Sequence, residues 1–115
     1  MDCIFCKIAA GQIPSRFVYQ DDDVIAFNDV APQAPHHILL IPCRHIPSMA
    51  DLTPEDGALL AKIFTAATKI SHDLGLEHGY RFLTNVGADA GQSVPHLHFH
   101  LLGGRKLGWP PYPPQ

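Results

Sequence analysis

The most chemically loaded stretch of this chain is Pro95-His96-Leu97-His98-Phe99-His100-Leu101-Leu102, in which imidazoles alternate with apolar side chains. Read as a strand, its two-residue period puts His96, His98 and His100 on one face and Leu97, Phe99 and Leu101 on the other. One face is core and the other is chemistry. At a rise of about 3.3 Å per residue, His96 and His98 stand roughly 6.7 Å apart and His96 and His100 roughly 13 Å apart. Metal–nitrogen bonds of about 2.0–2.1 Å cannot span that distance, so one zinc cannot take all three. At least one histidine remains for catalysis or anion binding, and a neutral imidazole is a competent nucleophile near pH 7. The preceding loop, with Gly87, Gly91, Gln92 and Ser93, offers backbone N–H groups and a hydroxyl beside the histidines. Titratable groups cluster this way mainly at functional sites.

Cys3 and Cys6 form a Cys-x-x-Cys pair that grips zinc if two further ligands come from elsewhere. The alternative, a redox pair, fits less well, because a thioredoxin-like site follows a strand of a βαβ unit and this pair opens the sequence. Three cysteines make an odd count, which in a reducing compartment favours thiolate or metal chemistry over a disulfide framework. Cys43 reads as a small filler, and His72 and His78 as surface residues near the long helix and its exit.

The elements that must position these groups follow from the rest of the chain. Its 115 residues suit one domain with a small core, and the net charge of -3 provides no broad basic field for nucleic-acid backbones. No window approaches the roughly 20 apolar residues of a membrane span, and the start lacks a secretory pattern, so the expected address is the cytoplasm. Asp2 can cap a short helix with Ile4, Phe5 and Ile8 on one side and Gly11 just past its end. Phe17 to Gln20 and Val24 to Asn28 read as a hairpin across Asp21-Asp22-Asp23, and His37 to Pro42 as a third strand. Thr53, Pro54, Glu55 and Asp56 open a long helix whose apolar stripe is Leu59, Leu60, Ile63, Ala67, Ile70 and Leu74, with Gly75 ending it. Tyr80 to Asn85 and His96 to Leu102 complete five antiparallel strands. The expected fold is an α+β domain over residues 1–108 with one long and one short helix, followed by an extended proline-rich tail over 109–115.

The pattern His96-Leu97-His98-Phe99-His100-Leu101-Leu102 resembles the histidine triad that defines the HIT superfamily of nucleotide hydrolases and transferases. The likeness extends through Ile4-Phe5-Cys6-Lys7-Ile8, Ile13-Pro14, Ala26-Phe27-Asn28-Asp29, Pro32-Gln33-Ala34-Pro35, Gly91-Gln92-Ser93-Val94 and Gly103-Gly104-Arg105. Gln92-Ser93 and Trp109-Pro110-Pro111 are similar to the Hint branch, the purine nucleoside phosphoramidases. The resemblance implies that His98 is a nucleophile attacking the α-phosphorus of an AMP or GMP conjugate, expelling an amine and carrying the nucleotide until water releases it. It gives His100 a phosphoryl oxygen and His37 a supporting place. Gly91, Gln92, Ser93 and Asn85 become phosphate or ribose contacts, with Ser93 assisting amine departure, and Asp29 and Val30 the nucleoside-binding pair. Ile4, Phe5 and Phe27 would line a slot for the base. Catalysis of this kind requires no cofactor. Some bacterial members resemble this chain in binding a structural zinc through two such cysteines, a histidine after the third strand and the first triad histidine; here these are Cys3, Cys6, His45 and His96. Eukaryotic relatives do without it. The resemblance also implies a homodimer joined through the long helix and the strand before the triad. Two other functions stay open: a dinucleoside polyphosphate hydrolase or nucleotidyl transferase, and a non-catalytic nucleotide-binding module.

Overall fold

The computed structural model describes residues 3–111. Asp2 and the tail residues Tyr112 to Gln115, to which the sequence assigns a cap and an extended end, lie outside the described residues. Five strands form one antiparallel sheet: β1 (Phe17–Gln20), β2 (Val24–Asn28), β3 (His36–Pro42), β4 (Tyr80–Leu83) and β5 (Phe99–Gly103), in spatial order β1-β2-β3-β5-β4. The expected α+β class is therefore observed. Among the described residues, no helix is long and apolar enough to cross a membrane.

A helix covers each face of the sheet. The long helix α2 (Gly57–Asp73) buries Ile63, Ala66, Ala67 and Ile70, while Leu59, Leu60 and Leu74 of the expected stripe are partly buried. Beneath it lie Val24, Ala26, Ile38, Leu40, Leu97, Phe99 and Leu101, all pointing to one side. Thr53 and Pro54 start a single 3₁₀ turn that runs into α2, with the Asp56 carboxylate accepting the Thr53 N–H at 2.9 Å. On the opposite face the short helix α1 (Ile4–Ala9) packs Phe5 and Ile8 with Cys3 against Ile25, Phe27, Leu39 and Ile41. Ile4, expected beside them, is 50% exposed. The sulfur of Cys3 caps α1 by accepting the Cys6 N–H. Two-residue alternation along β2 and β3 thus feeds two separate cores, while β5 gives Phe99 and Leu101 to the one under α2.

The last strand differs from its expected span. Ladder pairing between β3 and β5 stops at Leu40↔Phe99, so His96 and His98 precede the strand rather than lying in it. The reason is competition for backbone acceptors: the Pro42 carbonyl accepts from the His96 ring at 2.9 Å, and the Leu97 N–H donates to Ile46. Likewise β4 ends at Leu83 instead of Asn85, where the Thr84 hydroxyl donates to the His98 carbonyl at 2.7 Å.

Candidate active site

Register alone brings two histidines together. Leu39 of β3 sits opposite His100 of β5, and His37, two residues back from Leu39, shares its face. His37 Nε2 and His100 Nδ1 are 2.9 Å apart. The rings of His98 and His100 are 5.2 Å apart, and Phe5 meets the His98 ring edge-on, also at 5.2 Å. A cavity of about 270 Å³ opens here, and His98, His100, Ser93, Asp29 and Val30 line it. Ile4, Phe5 and Phe27 supply much of its apolar wall, with Asn28, Leu39 and Val94, which sequence reasoning did not single out.

Hydrogen bonds define which ring nitrogen of each histidine carries a proton, because a carbonyl oxygen only accepts and an amide N–H only donates. His98 Nδ1 lies 2.6 Å from the His96 carbonyl, so Nδ1 carries the proton and Nε2 has the free lone pair. The Gln33 N–H donates to His37 Nδ1 at 3.0 Å, which places the proton of His37 on Nε2. That N–H reaches His100 Nδ1 as its nearer acceptor and the Asp29 carboxylate, at 3.4 Å, as its farther one. His100 then carries its own proton on Nε2. This buried atom has no hydrogen-bond partner among the described residues, and His100 lines the cavity. Burial, then the neighbouring His98 and His37, pushes the His100 pKa down to about 4, so the ring is neutral at physiological pH. Two adjacent rings that line the cavity therefore hold complementary unpartnered groups, a lone pair on His98 Nε2 and an N–H on His100 Nε2.

The same reasoning separates two groups of metal-capable side chains. Cys3, Cys6, His45 and His96 bring four ligand atoms within 4.8 Å of one another. His96 Nε2 gives its proton to Pro42, leaving Nδ1 bare toward Cys3 Sγ at 3.3 Å and Cys6 Sγ at 3.5 Å. His45 Nδ1 lies 3.2 Å from Cys6 Sγ. A tetrahedral zinc with bonds of about 2.3 Å to sulfur and 2.0–2.1 Å to nitrogen separates those atoms by about 3.6 Å, so a two-cysteine, two-histidine set fits with small adjustments. Asp29, His37 and His100 also cluster. There, however, His37 Nε2 holds a proton because Gln33 occupies Nδ1, and this group is organised to pass hydrogen bonds rather than to ligate.

Three expected contacts are placed differently. Asn85, Gly91 and Gln92 are not among the residues lining the cavity. The Gln92 side chain is occupied in holding its own loop: its carbonyl accepts from Gly87 N–H, and its amide donates to Pro47 and Val94. Gly91 closes the adjoining turn in the left-handed conformation, at φ 80°.

Comparison with known proteins agrees with this geometry. The profile of a family described as the HIT domain matches residues 10–107. The chain is 49% identical over 108 residues to the purine nucleoside phosphoramidase of Escherichia coli strain K12, spanning 93% of this chain and 91% of that one. It is equally similar, 49% over 110 residues, to an uncharacterised HIT-like protein of Synechocystis, covering 96% of both. A crystal structure of a HIT family hydrolase from Legionella pneumophila superposes with a TM-score of 0.95 at 48% identity, across 96% of this chain and 100% of that one.

Proposed function

This chain is a hydrolase of the HIT domain family, and from that premise we propose that it hydrolyses the P–N bond of purine nucleoside 5'-phosphoramidates through a nucleotide carried on His98. The observation that carries the reading is the fixed proton of His98. With Nδ1–H held by the His96 carbonyl, Nε2 is the nucleophile, and the positive charge that grows on the ring during attack is stabilised at the same carbonyl. The Nε2 lone pair bonds to phosphorus as the bond from phosphorus to the amine breaks. The departing nitrogen takes up a proton, delivered from water through the Ser93 hydroxyl. Water then bonds to phosphorus, the bond to Nε2 breaks, and the mononucleotide leaves as the water's proton passes to solvent. His100 Nε2–H stabilises charge on a phosphoryl oxygen in both displacements, being aimed beforehand.

Asp29 accepts the ribose hydroxyls, Val30 covers the sugar from the rim, and Ile4, Phe5 and Phe27 hold the purine. Gly91 and Gln92 act by shaping the loop that carries Ser93. Cys3, Cys6, His45 and His96 would hold a structural Zn²⁺, which supplies no step of the reaction but ties α1, the segment after β3 and the approach to β5 into one unit. Dimerisation through α2 and the edge strand β4 suits an exposed apolar surface there: Phe64 is 52% exposed and Tyr80 43%. The similarity to the E. coli phosphoramidase favours an amine leaving group over a polyphosphate.

The test is incubation with adenosine 5'-phosphoramidate, following AMP release and intact mass for wild type and His98→Ala. The expected result is turnover and an AMP-sized adduct in wild type, both lost in the variant. Nucleotide binding without turnover by folded wild type would overturn the reading.

A further inference from the structure

The Gly103-Gly104-Arg105 segment, part of the family likeness in the sequence but absent from the chemistry above, reaches the turn that holds His37. Arg105 Nη2 donates to the Gln33 carbonyl at 3.0 Å, across 72 positions of sequence. Gln33 is the residue whose N–H donates to His37 Nδ1. The two glycines make this approach possible. A Cβ on Gly104 would lie 2.9 Å from Pro35 Cβ and 3.1 Å from His36 Cδ2, and its φ of +96° disfavours any side chain. A Cβ on Gly103 would meet Leu76 Cδ1 at 2.8 Å. The chain leaving β5 therefore passes flush against Pro35 and delivers Arg105 onto the turn before β3.

We propose that Arg105 and the Gln33 backbone amide form a clamp that sets the ring tautomers of His37 and His100, so that His100 presents an N–H, not a lone pair, to the phosphoryl oxygen. The proposal rests on the role given to His100 above. Its logic is a chain of donors with one direction: Arg105 fixes Gln33, Gln33 N–H occupies His37 Nδ1, His37 Nε2–H occupies His100 Nδ1, and His100 Nε2–H is left facing the cavity. Without the Gln33 N–H on His37 Nδ1 that nitrogen can take the proton itself, and each later proton then moves to the other nitrogen, ending with a lone pair aimed at an anionic oxygen. The Asp29 carboxylate, whose Oδ1 accepts the Ala31 N–H, faces the same His37 nitrogen as a more distant acceptor and so favours the same proton position. Arg105 and Gln33 are positioning residues: neither lines the cavity.

The test is long-range ¹H–¹⁵N correlation spectroscopy of the histidine rings at pH 7.5, with kcat and KM for adenosine 5'-phosphoramidate, on wild type, Arg105→Ala and Arg105→Lys. In wild type, His37 and His100 should each be protonated at Nε2. Arg105→Ala should introduce a second tautomer at both rings and lower kcat about five- to tenfold, at the low end for loss of a supporting contact, with KM changed less than about twofold. Arg105→Lys, which keeps one donor, should recover most of both effects. A second perturbation replaces the Gln33 amide by an ester, through the corresponding α-hydroxy acid. It deletes the N–H, leaves every side chain in place, and should shift the same two rings, which keeps the proposal testable if Arg105→Ala does not fold. Unchanged tautomers in the ester protein, or reduced kcat with unchanged tautomers in Arg105→Ala, would overturn the clamp. Absence of phosphoramidate turnover in wild type would instead defeat the assigned reaction, while the ring spectra would still decide the clamp.

Discussion

Adding one methyl group at Gly104 tests the steric half of this account. Gly104 has φ +96°, and Gly104→Ala places a carbon in a conformation that costs an L-residue about 1–2 kcal/mol. The new Cβ also lies 2.9 Å from Pro35 Cβ, against an optimal carbon–carbon separation of about 3.5–4.0 Å, so the Pro35 turn must retreat by at least about 0.6 Å. Overpacking of that order costs about 1–3 kcal/mol, and the lower entropy of unfolded alanine offsets about 0.4–1 kcal/mol. The net expectation is a loss of about 3 kcal/mol, read as a clear fall in Tm by calorimetry. Gly57→Ala is the control. It sits at the start of α2 with ordinary φ and nothing within 4 Å of the added Cβ, so it should be neutral or stabilising by up to about 1 kcal/mol. Because Pro35 and Gln33 share a turn, Gly104→Ala should also lower kcat, whereas Gly57→Ala should not. Equal Tm values for the two variants would refute the reasoning that close backbone approach, rather than chance, placed glycine at 104.

The neutral His100 makes stability depend on pH. Its folded value of about 4 lies below the ordinary 6.5, so the unfolded chain binds more protons between them; the contribution is complete above pH 6.5 and is lost as pH falls toward 4. Urea melts at pH 7.5 and 5 should show a smaller loss in His100→Gln than in wild type, and equal losses would contradict the assignment. Stripping metal with a strong chelator, or introducing Cys3→Ser, should lower Tm and reduce bound zinc, measured by atomic emission, from one per chain to none; a native protein that never carries zinc would count against the Cys3, Cys6, His45 and His96 site. Phe64→Glu, which places charge on the exposed α2 surface against Phe82 and Phe99, should halve the mass found by sedimentation if that surface joins two copies. A monomeric wild type would remove the dimer from the account.

Much of the site was legible because a period of two is hard to disguise. The alternation of His98 and His100 with Leu97, Phe99 and Leu101 identified which face held core and which held chemistry, and the structure separates them that way. The pairing of Cys3 and Cys6 with His45 and His96 came only through family likeness, since nothing local in the sequence brings position 3 near position 96. Strand ends were misjudged where a side chain displaced a ladder bond: the His96 ring at Pro42 and the Thr84 hydroxyl at His98. Gly91 and Gln92 stand just before the histidines, where their backbone N–H groups suit a phosphate, yet in the structure those groups donate to Ala88 and Gly87 within the loop. Arg105 and Gln33 stood inside quoted motifs, but their relation depends on a turn that passes over Pro35, and only the glycines at 103 and 104 hinted at it.

The two banks of the cavity belong to different mechanical classes. His100 sits within the ladder between β3 and β5, and β5 is flanked on both sides, so its amides should exchange with solvent among the slowest in the molecule. Ser93 follows a 3₁₀ turn whose backbone bonds, from Ala90, Gly91 and Gln92, close only on Gly87 and Ala88, and it should exchange early. On the assigned reaction, the rigid bank grips the phosphorus and the yielding bank meets the departing amine. Such a division makes an enzyme exacting about the nucleotide it accepts and lenient about what is attached to it.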